Sequence, residues 1–241
     1  MKHLALFENF EVVEPIKYGD PLNNKEINFL KGYNIMCPEW ILKDDNYYYV
    51  FNHRCEIKDL PLTYIHAVCK KYNIVNYVIN DYIVDVDGDV NFYSIQLTKI
   101  PLVFNIVSGN FDCSSNKLTT LEGSPQSVGG NFDCSFNQLT TLKGSPKEVG
   151  RDFKCNYNHL TTLEGGPKEV GGHFDCDSNK LITLLGSPKE VGGDFSCCNN
   201  KLTTLKGGPE YVGGDFYCYT NSLEITPLEY KGVIKGEFIY T

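Results

Sequence analysis

The sequence predicts a mostly-β protein in which parallel coils stack into a solenoid behind a small N-terminal α+β cap. The main observation is a repeat of 21 residues that fills more than half of the chain. Its consensus is G-G-x-F-x-C-x-x-N-x-L-T-T-L-x-G-x-P-x-x-V, and a fixed period of this length is typical of solenoids, propellers and arrays. A second observation is that no part of the unit is long and periodic enough for a good helix.

Columns of equivalent residues show how one unit should fold. F-x-C alternates apolar and polar residues, which predicts a short strand with one buried face, and Gly-Gly and Gly-x-Pro are turn signals. Each coil is therefore expected to be strand, turn, extended stretch and turn, with strands of successive coils about 4.8 Å apart. One coil cannot bury its apolar side alone, so repetition is required. The Phe and Cys columns, which should point inward with both Leu columns, are Phe111, Phe132, Phe153, Phe174, Phe195 and Phe216, and Cys113, Cys134, Cys155, Cys176, Cys197 and Cys218.

The Asn column (Asn116 to Asn221 in steps of 21 residues) is also expected to point inward. Its amides can hydrogen-bond the backbone of their own and adjacent coils where the chain leaves the strand. The ends of the array are irregular, as terminal coils should be. Val90 and Phe92 stand at the Phe and Cys positions of a degenerate first coil, and Phe238 follows Phe216 after 22 residues as a last capping strand. We assign 88–241 to the solenoid.

Residues 1–87 are not repetitive and are predicted to form the α+β cap. NKEINFLKGY and PLTYIHAVCKKYNI are candidate helices, and YYYVFNHRC and NYVINDYIVDV are candidate strands. This region either only caps the first coil or presents a second binding surface around Trp40 and Tyr47–Tyr49. The opening LALFENF is either a short docking or packaging signal or the first core helix.

Composition limits the possible partners. The net charge is −8, which disfavours sequence-independent nucleic-acid binding and makes a basic protein surface the more compatible partner. The sequence contains no run of 18 apolar residues, so it predicts no transmembrane helix. The N-terminus is a poor signal peptide, and we therefore expect a cytoplasmic protein that binds no membrane. Six of the ten cysteines recur at one repeat position, which predicts reduced core residues. Cysteines stacked on parallel strands should form a line, whereas zinc needs four ligands that converge on one point. We therefore expect no metal and no other cofactor.

The repeat also carries a resemblance. F-x-C-x-x-N-x-L-x-x-L resembles the leucine-rich-repeat core L-x-L-x-x-N-x-L-x-x-L, and the short unit with Pro and no helix looks like the compact bacterial effector type. The segment DVDGDVNFYSIQLTKIPLVFNIVSGNFDCSSNKLTTLEGSP is similar to repeat proteins of tailed bacteriophages, whose openings also resemble MKHLALFENF. The resemblance covers about 88–241 and implies a leucine-rich-repeat-like solenoid and a phage origin. It implies no reaction, because function depends on sites rather than folds.

Side chains that flank the Phe and Cys columns should project outward, because side chains alternate along a strand. They form an acidic surface with aromatics at intervals, which we call the acidic face. It is either a docking face for a protein with a basic or mixed-charge surface, or a solvated face that keeps the protein soluble. The residues of the acidic face are Asp112, Asp133, Phe136, Asp152, Tyr157, His173, Asp175, Asp177, Asp194, Asp215, Tyr217 and Tyr219.

Two other motifs have a chemical and a structural interpretation. DVDGD (85–89) hints at a calcium loop, but its Gly comes too early and Gln96 stands where a bidentate Glu should be, which favours a turn into the first coil. Strand alternation turns Cys198 outward as an accessible thiol, and His173 is the one His of the acidic face that could serve as its base. No triad, phosphate loop or metal set emerges, so we expect no enzyme.

These observations favour a non-enzymatic binding module made by a bacteriophage. It would dock a host or defence protein through the acidic face in the host cytoplasm. The alternative is a virion component, in which the stacked coils serve as a structural spacer or decoration.

Overall fold

The described part of the chain is mostly β, with two α-helices that both precede the repeats. Within it, no helix is long and apolar enough to cross a membrane. The segment LALFENF, for which the sequence predicts a docking signal or a core helix, lies outside the described residues. The computed structural model describes residues 20–44, 47–51, 53–56, 58–223 and 230–240.

The N-terminal cap contains both predicted helices and a small antiparallel sheet. The predicted strand segment YYYVFNHRC is a hairpin of two strands. A 3-10 turn at Pro38–Trp40 leads into the second strand. The elements are β1 Asp20–Pro21, α1 Asn24–Lys31, β2 Ile41–Asp44, β3 Tyr47–Val50, β4 His53–Cys55 and α2 Leu60–Lys71, with sheet order β1-β2-β3-β4.

Local sequence explains where the helices begin. Asn23 caps α1: its side chain accepts from the backbone N–H of Lys25 and Glu26, and Glu26 accepts from the N–H of Asn23. This reciprocal pair satisfies donors that have no partner inside the helix. Helix α2 has Pro61 in its first turn, where the missing N–H costs nothing. Ile65, at the centre of the predicted apolar side of α2, is buried.

The cap packs on the first coil through an aromatic residue of α2 and another at its C-cap. The Tyr64 hydroxyl accepts from the N–H of Cys37 at 3.1 Å and donates to the carbonyl of Pro101 at 2.9 Å. The Tyr72 ring meets Phe92 edge-on with centroids 5.3 Å apart. These contacts join the cap to the apolar end of the solenoid.

Trp40 belongs to this packing and not to an exposed aromatic surface. Its ring lies 5.2 Å from that of Phe51 and contacts the rings of Tyr64 and Tyr72. Of the cluster around Trp40 and Tyr47–Tyr49, only Tyr47 is exposed. The cluster therefore contributes to the cap more than to a second binding surface.

Two sheets, both parallel within the repeats, run along the solenoid, one starting at the Phe position and one ending at the Val position of each coil. The Phe sheet has eight strands: β7 Val90–Asn91, β9 Phe111–Asp112, β11 Phe132–Asp133, β13 Phe153–Lys154, β15 Phe174–Asp175, β17 Phe195–Ser196, β19 Phe216–Tyr217 and β21 Phe238–Ile239. The Val sheet has nine: β5 Tyr77–Asn80, β6 Ile83–Val86, β8 Phe104–Val107, β10 Ser127–Val128, β12 Glu148–Val149, β14 Glu169–Val170, β16 Glu190–Val191, β18 Tyr211–Val212 and β20 Val233–Ile234.

The Val sheet corrects the expectation of one strand per coil. The sequence predicts only an extended stretch after the Leu pair, whereas each coil pairs a second time at its x-Val dipeptide. The predicted strand segment NYVINDYIVDV is the antiparallel hairpin β5–β6. Strand β6 pairs in parallel with β8, so this hairpin from residues 1–87 extends the sheet of the solenoid.

The core consists of stacked identical side chains, as the repeat predicts. Phe132 pairs in register with Phe111 and Phe153. From Phe111 to Phe195 the ring centroids are 5.2–5.6 Å apart and the interplanar angles are 5–19°. The Cys column is buried beside them, and all ten cysteines are free. Burial of such columns from adjacent coils is the main stabilising contribution in a solenoid.

The Asn column joins adjacent coils by hydrogen bonds, as predicted. Asn137 Oδ1 accepts from the N–H of Leu118 at 2.9 Å. Its amide nitrogen donates to the carbonyls of Cys113, Cys134 and Ser135 at 3.0–3.1 Å. The other members of the column make equivalent bonds. These amides satisfy backbone groups at the bend after each Phe strand, where neither sheet can do so.

The irregular ends also match the prediction. Val90 and Phe92 are buried, and Val90 pairs in register with Phe111 as the first rung of the Phe sheet. At the other end Phe238 pairs with Phe216 across the 22-residue step and is half-buried. The solenoid thus has about seven coils and a last strand.

Candidate binding face

The position before each Phe forms a ladder of hydrogen bonds along the acidic face. In every rung, one side chain accepts the backbone N–H of the equivalent residue one coil later. The distances are 2.7–3.0 Å, and the accepting residues are Asn110, Asn131, Asp152, His173, Asp194 and Asp215. The four members that belong to the acidic face therefore also hold successive coils together.

His173 takes part in this ladder through a ring nitrogen. Its Nδ1 accepts the backbone N–H of Asp194 at 2.9 Å and lies 3.2 Å from the Asp194 carboxylate. Nδ1 cannot accept the amide hydrogen of Asp194 and at the same time donate a hydrogen to the Asp194 carboxylate. The amide hydrogen is fixed on the backbone, so Nδ1 is the acceptor and the proton of the neutral ring is on Nε2. Nδ1 of His173 is therefore occupied by the hydrogen bond from Asp194, and His173 is not positioned as a base for the Cys198 thiol.

The carboxylates between Phe and Cys fix the bend that follows each strand. Oδ1 of Asp112 accepts from both the N–H and the hydroxyl of Ser114, at 2.9 and 2.6 Å, and Asp133 does the same with Ser135. Oδ1 of Asp175 accepts from the N–H of Asp177 at 3.0 Å. The Oδ2 atoms of these three aspartates have no hydrogen-bond partner among the described residues, so each keeps one oxygen for an outside donor.

Cys198 is buried, which makes the prediction of an accessible thiol wrong. Alternation applies only within a strand, and this strand ends at Ser196. Beyond it the chain bends, and Oδ1 of Asp177 accepts from both the Cys198 N–H and the Ser196 hydroxyl at 2.6 Å. Burial raises the pKa of Cys198, so the thiol is a poor nucleophile as well as an inaccessible one.

Phe136 and Tyr157 form an exposed stacked pair, which we call the aromatic pair. Their ring centroids are 4.4 Å apart with an interplanar angle of 11°, and each residue is 52% exposed. Both have φ of +52°, in the left-handed region that bulky residues rarely adopt. The N–H groups of Phe136 and Tyr157 donate to the carbonyls of Asn156 and Asp177 at 3.0 Å, which holds this conformation.

Tyr217 and Tyr219 lie at the C-terminal end of the acidic face, away from the aromatic pair. The Tyr217 hydroxyl donates to Oδ2 of Asp215 at 2.9 Å, whereas Tyr219 is exposed. The coils that begin at Phe174 and Phe195 separate these tyrosines from the pair. The acidic face therefore contains two aromatic regions, of which only the first is a stack.

The DVDGD segment contains the end of strand β6 and then the bend that leads into the first coil, so only its second half is the predicted turn. Oδ1 of Asp85 accepts from the N–H of Ile106 at 3.0 Å, and Oδ1 of Asp87 accepts from the hydroxyl of Ser108 at 2.8 Å. Across the described residues, no group of three His, Cys, Asp or Glu side chains is arranged to hold a metal ion.

Sequence reasoning missed two surface features. Ile182 and Leu185 are exposed apolar residues in one coil, where other coils have Thr and a charged residue. The departure LITLL from the consensus L-T-T-L-x is the signal that would have found them. The outer side of the Val sheet carries a shallow groove of about 530 Å³, along which Glu148, Glu169 and Glu190 stand in register. That groove was missed because the Val sheet was missed.

Asp175 gives this region a stability that depends on pH. Burial raises its pKa from 3.8 to about 6, although the N–H of Asp177 opposes the shift. A pKa that is higher in the folded state gives stability that is fully present below the unfolded value and is lost as pH rises through about 6. Asp175→Asn is therefore expected to raise the free energy of unfolding by up to about 3 kcal/mol at pH 7.5 and by much less at pH 4.

Urea unfolding of both proteins at the two pH values measures this effect. The amide keeps an oxygen that can accept from the Asp177 N–H, so the variant changes mainly the charge. An equal gain at both pH values would contradict a titration origin.

Comparison with known proteins adds no family to this description. A scan against protein-family models and searches of curated proteins and of solved structures found no match to this chain. The leucine-rich-repeat and phage resemblances therefore stay predictions, and we infer function from the geometry of the acidic face.

Proposed function

We propose that this protein is a non-enzymatic binding module that docks another protein through the acidic face. The aromatic pair is the observation that carries the proposal. Phe136 and Tyr157 are large, stacked and exposed at the bends that follow the Phe strands, where backbone hydrogen bonds between coils hold them. Exposed aromatic residues on rigid surfaces are common interface anchors.

The backbone of the aromatic pair supports a role outside folding. A bulky residue with positive φ costs of order 1–3 kcal/mol, and such strain clusters at functional positions. Other coils fill this position with residues such as Ser115 and Ser178 and keep the same bend. The bend therefore does not need an aromatic ring, and the rings contribute nothing to the buried core.

Charge indicates the kind of partner. The chain has a net charge of −8. Asp133 and Asp175 retain carboxylate oxygens without a hydrogen-bond partner among the described residues, and Lys154 is in register between them. A basic or mixed-charge surface complements such a face and is steered toward it at low ionic strength. We expect neither nucleic acid nor membrane as the partner, and the proposal needs no cofactor.

The resemblance to leucine-rich-repeat-like phage proteins suggests the setting. In that setting the partner is a host or defence protein and the site of action is the host cytoplasm. The second candidate is a structural or decoration protein of the virion, because a stack of about seven in-register coils also suits a spacer.

A pull-down with matched variants tests the docking face. Phe136→Ser plus Tyr157→Ser converts the pair to the residue found in neighbouring coils, so the fold is expected to be retained while capture from a bacterial lysate is lost. The control, Tyr211→Ser plus Val233→Ser, removes two exposed apolar residues from the Val sheet instead. Capture by the control should match the wild type and should fall as salt is added.

Two outcomes contradict the proposal. A partner that is captured equally by both double variants does not bind the aromatic pair. Detection of the chain as a stoichiometric component of purified virions by mass spectrometry would favour the structural candidate.

A further inference from the structure

The aromatic pair is bordered on both sides by a serine of the same column. Ser115 precedes Phe136 by one coil and Ser178 follows Tyr157 by one coil, and both serines have the left-handed backbone of the column. Coils are spaced by about 4.8 Å, close to the separation of stacked planar groups. Each serine therefore leaves a gap one coil wide against a ring. We call these gaps the Ser115 slot and the Ser178 slot.

The ring face beside the Ser178 slot is open. Within the described residues, Phe136 is the only aromatic ring that stacks on Tyr157, and no cation lies over the Tyr157 ring. The backbone N–H of Ser178 donates to the carbonyl of Cys198 at 3.0 Å, so the slot has a fixed floor. A flat group that enters the slot can stack on Tyr157 as Phe136 does from the other side.

The two slots differ in charge. The Ser178 slot belongs to the coil that carries Asp175 and Asp177, whereas the corresponding residues beside the Ser115 slot are Asp112 and Ser114. Oδ1 of Asp175 and Oδ1 of Asp177 accept hydrogen bonds from within the protein, and their Oδ2 atoms have no partner among the described residues. The coil of the Ser178 slot thus supplies two carboxylates next to an aromatic face. The Asp177 carboxylate is bonded to the following coil, and Lys154 is in register with Asp175 on the preceding one.

We propose that the Ser178 slot receives an arginine side chain of the docked protein. Its guanidinium stacks on the Tyr157 ring and its charge faces Asp175 and Asp177. This inference rests on the proposed function and names the chemistry by which the acidic face recognises its partner.

Arginine fits this slot better than lysine or a neutral ring. The guanidinium is planar, stacks on aromatic faces and presents several donors to carboxylates, whereas the lysine ammonium is a strongly hydrated point charge. A neutral aromatic side chain would stack but would leave both carboxylates unpaired. Burial raises the pKa of Asp175 to about 6, although the charge of Lys154 opposes this shift, and burial also raises the pKa of Asp177, so a further cation beside the two carboxylates would be favourable.

Binding of short peptides tests the slot without the natural partner. The probes are acetyl-Gly-Arg-Gly-Arg-Gly-amide and the same peptide with lysine, titrated into the labelled full chain and followed by NMR of the Tyr157 ring. The arginine peptide is expected to bind about five-fold more tightly than the lysine peptide and to shift the Tyr157 resonances saturably. Equal affinities, or no shift at Tyr157, overturn the inference.

Filling each slot gives a matched pair of variants. Ser178→Phe extends the stack by one ring, and Phe136 shows that this column accepts phenylalanine. Ser115→Phe extends it on the other side. The Ser178→Phe variant should lose the preference for arginine, because the added ring fills the slot and covers the open face of Tyr157. The Ser115→Phe variant should keep it, and equal behaviour of the two variants overturns the inference.

The pull-down separates this inference from the proposed function. If capture requires the aromatic pair but Ser178→Phe captures the partner as well as wild type does, the docking function stands and the arginine slot is wrong. If capture does not require the aromatic pair, the docking function itself is wrong.

Discussion

Replacing Asn158 with alanine is expected to lower the free energy of unfolding by about 3–5 kcal/mol. Oδ1 of Asn158 accepts from the N–H of Leu139 at 3.0 Å, and its amide nitrogen donates to the carbonyls of Cys134, Cys155 and Asn156. The substitution leaves these backbone groups without a partner at a buried bend, and each such group costs about 1–3 kcal/mol. Partial relaxation and water entry keep the total below the sum.

The same substitution should also weaken docking. The carbonyl of Asn156, to which Asn158 donates, accepts the N–H of Phe136. Asn158 therefore supports the bend that holds Phe136 and Tyr157 outward in the left-handed conformation. We expect Asn158→Ala to reduce capture of the partner even at temperatures at which the variant is folded.

Urea unfolding followed by far-UV circular dichroism measures the loss, and Asn221→Ala provides the control. Asn221 makes the same kinds of bonds, to Leu202, Cys197 and Cys218, but at a half-buried position where water can replace them. The control should lose clearly less stability than Asn158→Ala. Equal losses would show that the bonds matter for the end of the stack as much as for its middle.

The columns of the Phe sheet are predictable from the sequence because a strict period reports in-register stacking directly. Identical residues at a fixed step occupy identical environments, so the Phe, Cys, Leu and Asn columns indicate the core by themselves. The Val sheet is not predictable in this way. Within the repeats its strands are dipeptides such as Glu169–Val170, which lies between a proline turn and two glycines. Such a dipeptide lacks the third residue that lets F-x-C show alternation.

The acidic face is predictable in position but not in the roles of its residues. The column before Phe has the sequence pattern of surface charge, whereas its members share a side-chain acceptor that reaches the next coil. His173 shows that the column needs a hydrogen-bond acceptor and not a negative charge. It carries no fixed negative charge, yet it accepts the backbone N–H of the next coil as the other members do. Cys198 shows the complementary error, since strand alternation does not extend past the last strand residue, Ser196.

Phe153→Ala is expected to be at least as destabilising as Asn158→Ala, with a loss of about 3–5 kcal/mol. Phe153 is fully buried, and its ring lies 5.3 Å from that of Phe132 and 5.2 Å from that of Phe174. Truncation removes both ring stacks and leaves a cavity between two coils that backbone pairing holds in place. The control is Phe238→Ala at the half-buried last strand, which should cost less.

The single tryptophan makes the location of the damage measurable. Trp40 packs in the N-terminal cap, so its fluorescence reports that end, whereas far-UV circular dichroism reports the whole stack. In a solenoid, stability is a sum of coil and nearest-neighbour interface contributions. Weakening the interfaces of the coil that begins at Phe153 should therefore let the coils beyond it unfold first. The dichroism midpoint should fall further than the fluorescence midpoint, while the two coincide in the wild type.

The two midpoints also bear on docking, because the aromatic pair spans the weakened interface. Phe136 belongs to the coil that begins at Phe132, and Tyr157 belongs to the coil that begins at Phe153. If the coils beyond the cavity open independently, the pair is disrupted and capture fails at urea concentrations at which Trp40 is still in folded surroundings. If both midpoints fall together by the same amount, the stack unfolds as one cooperative unit, and nearest-neighbour coupling does not describe it.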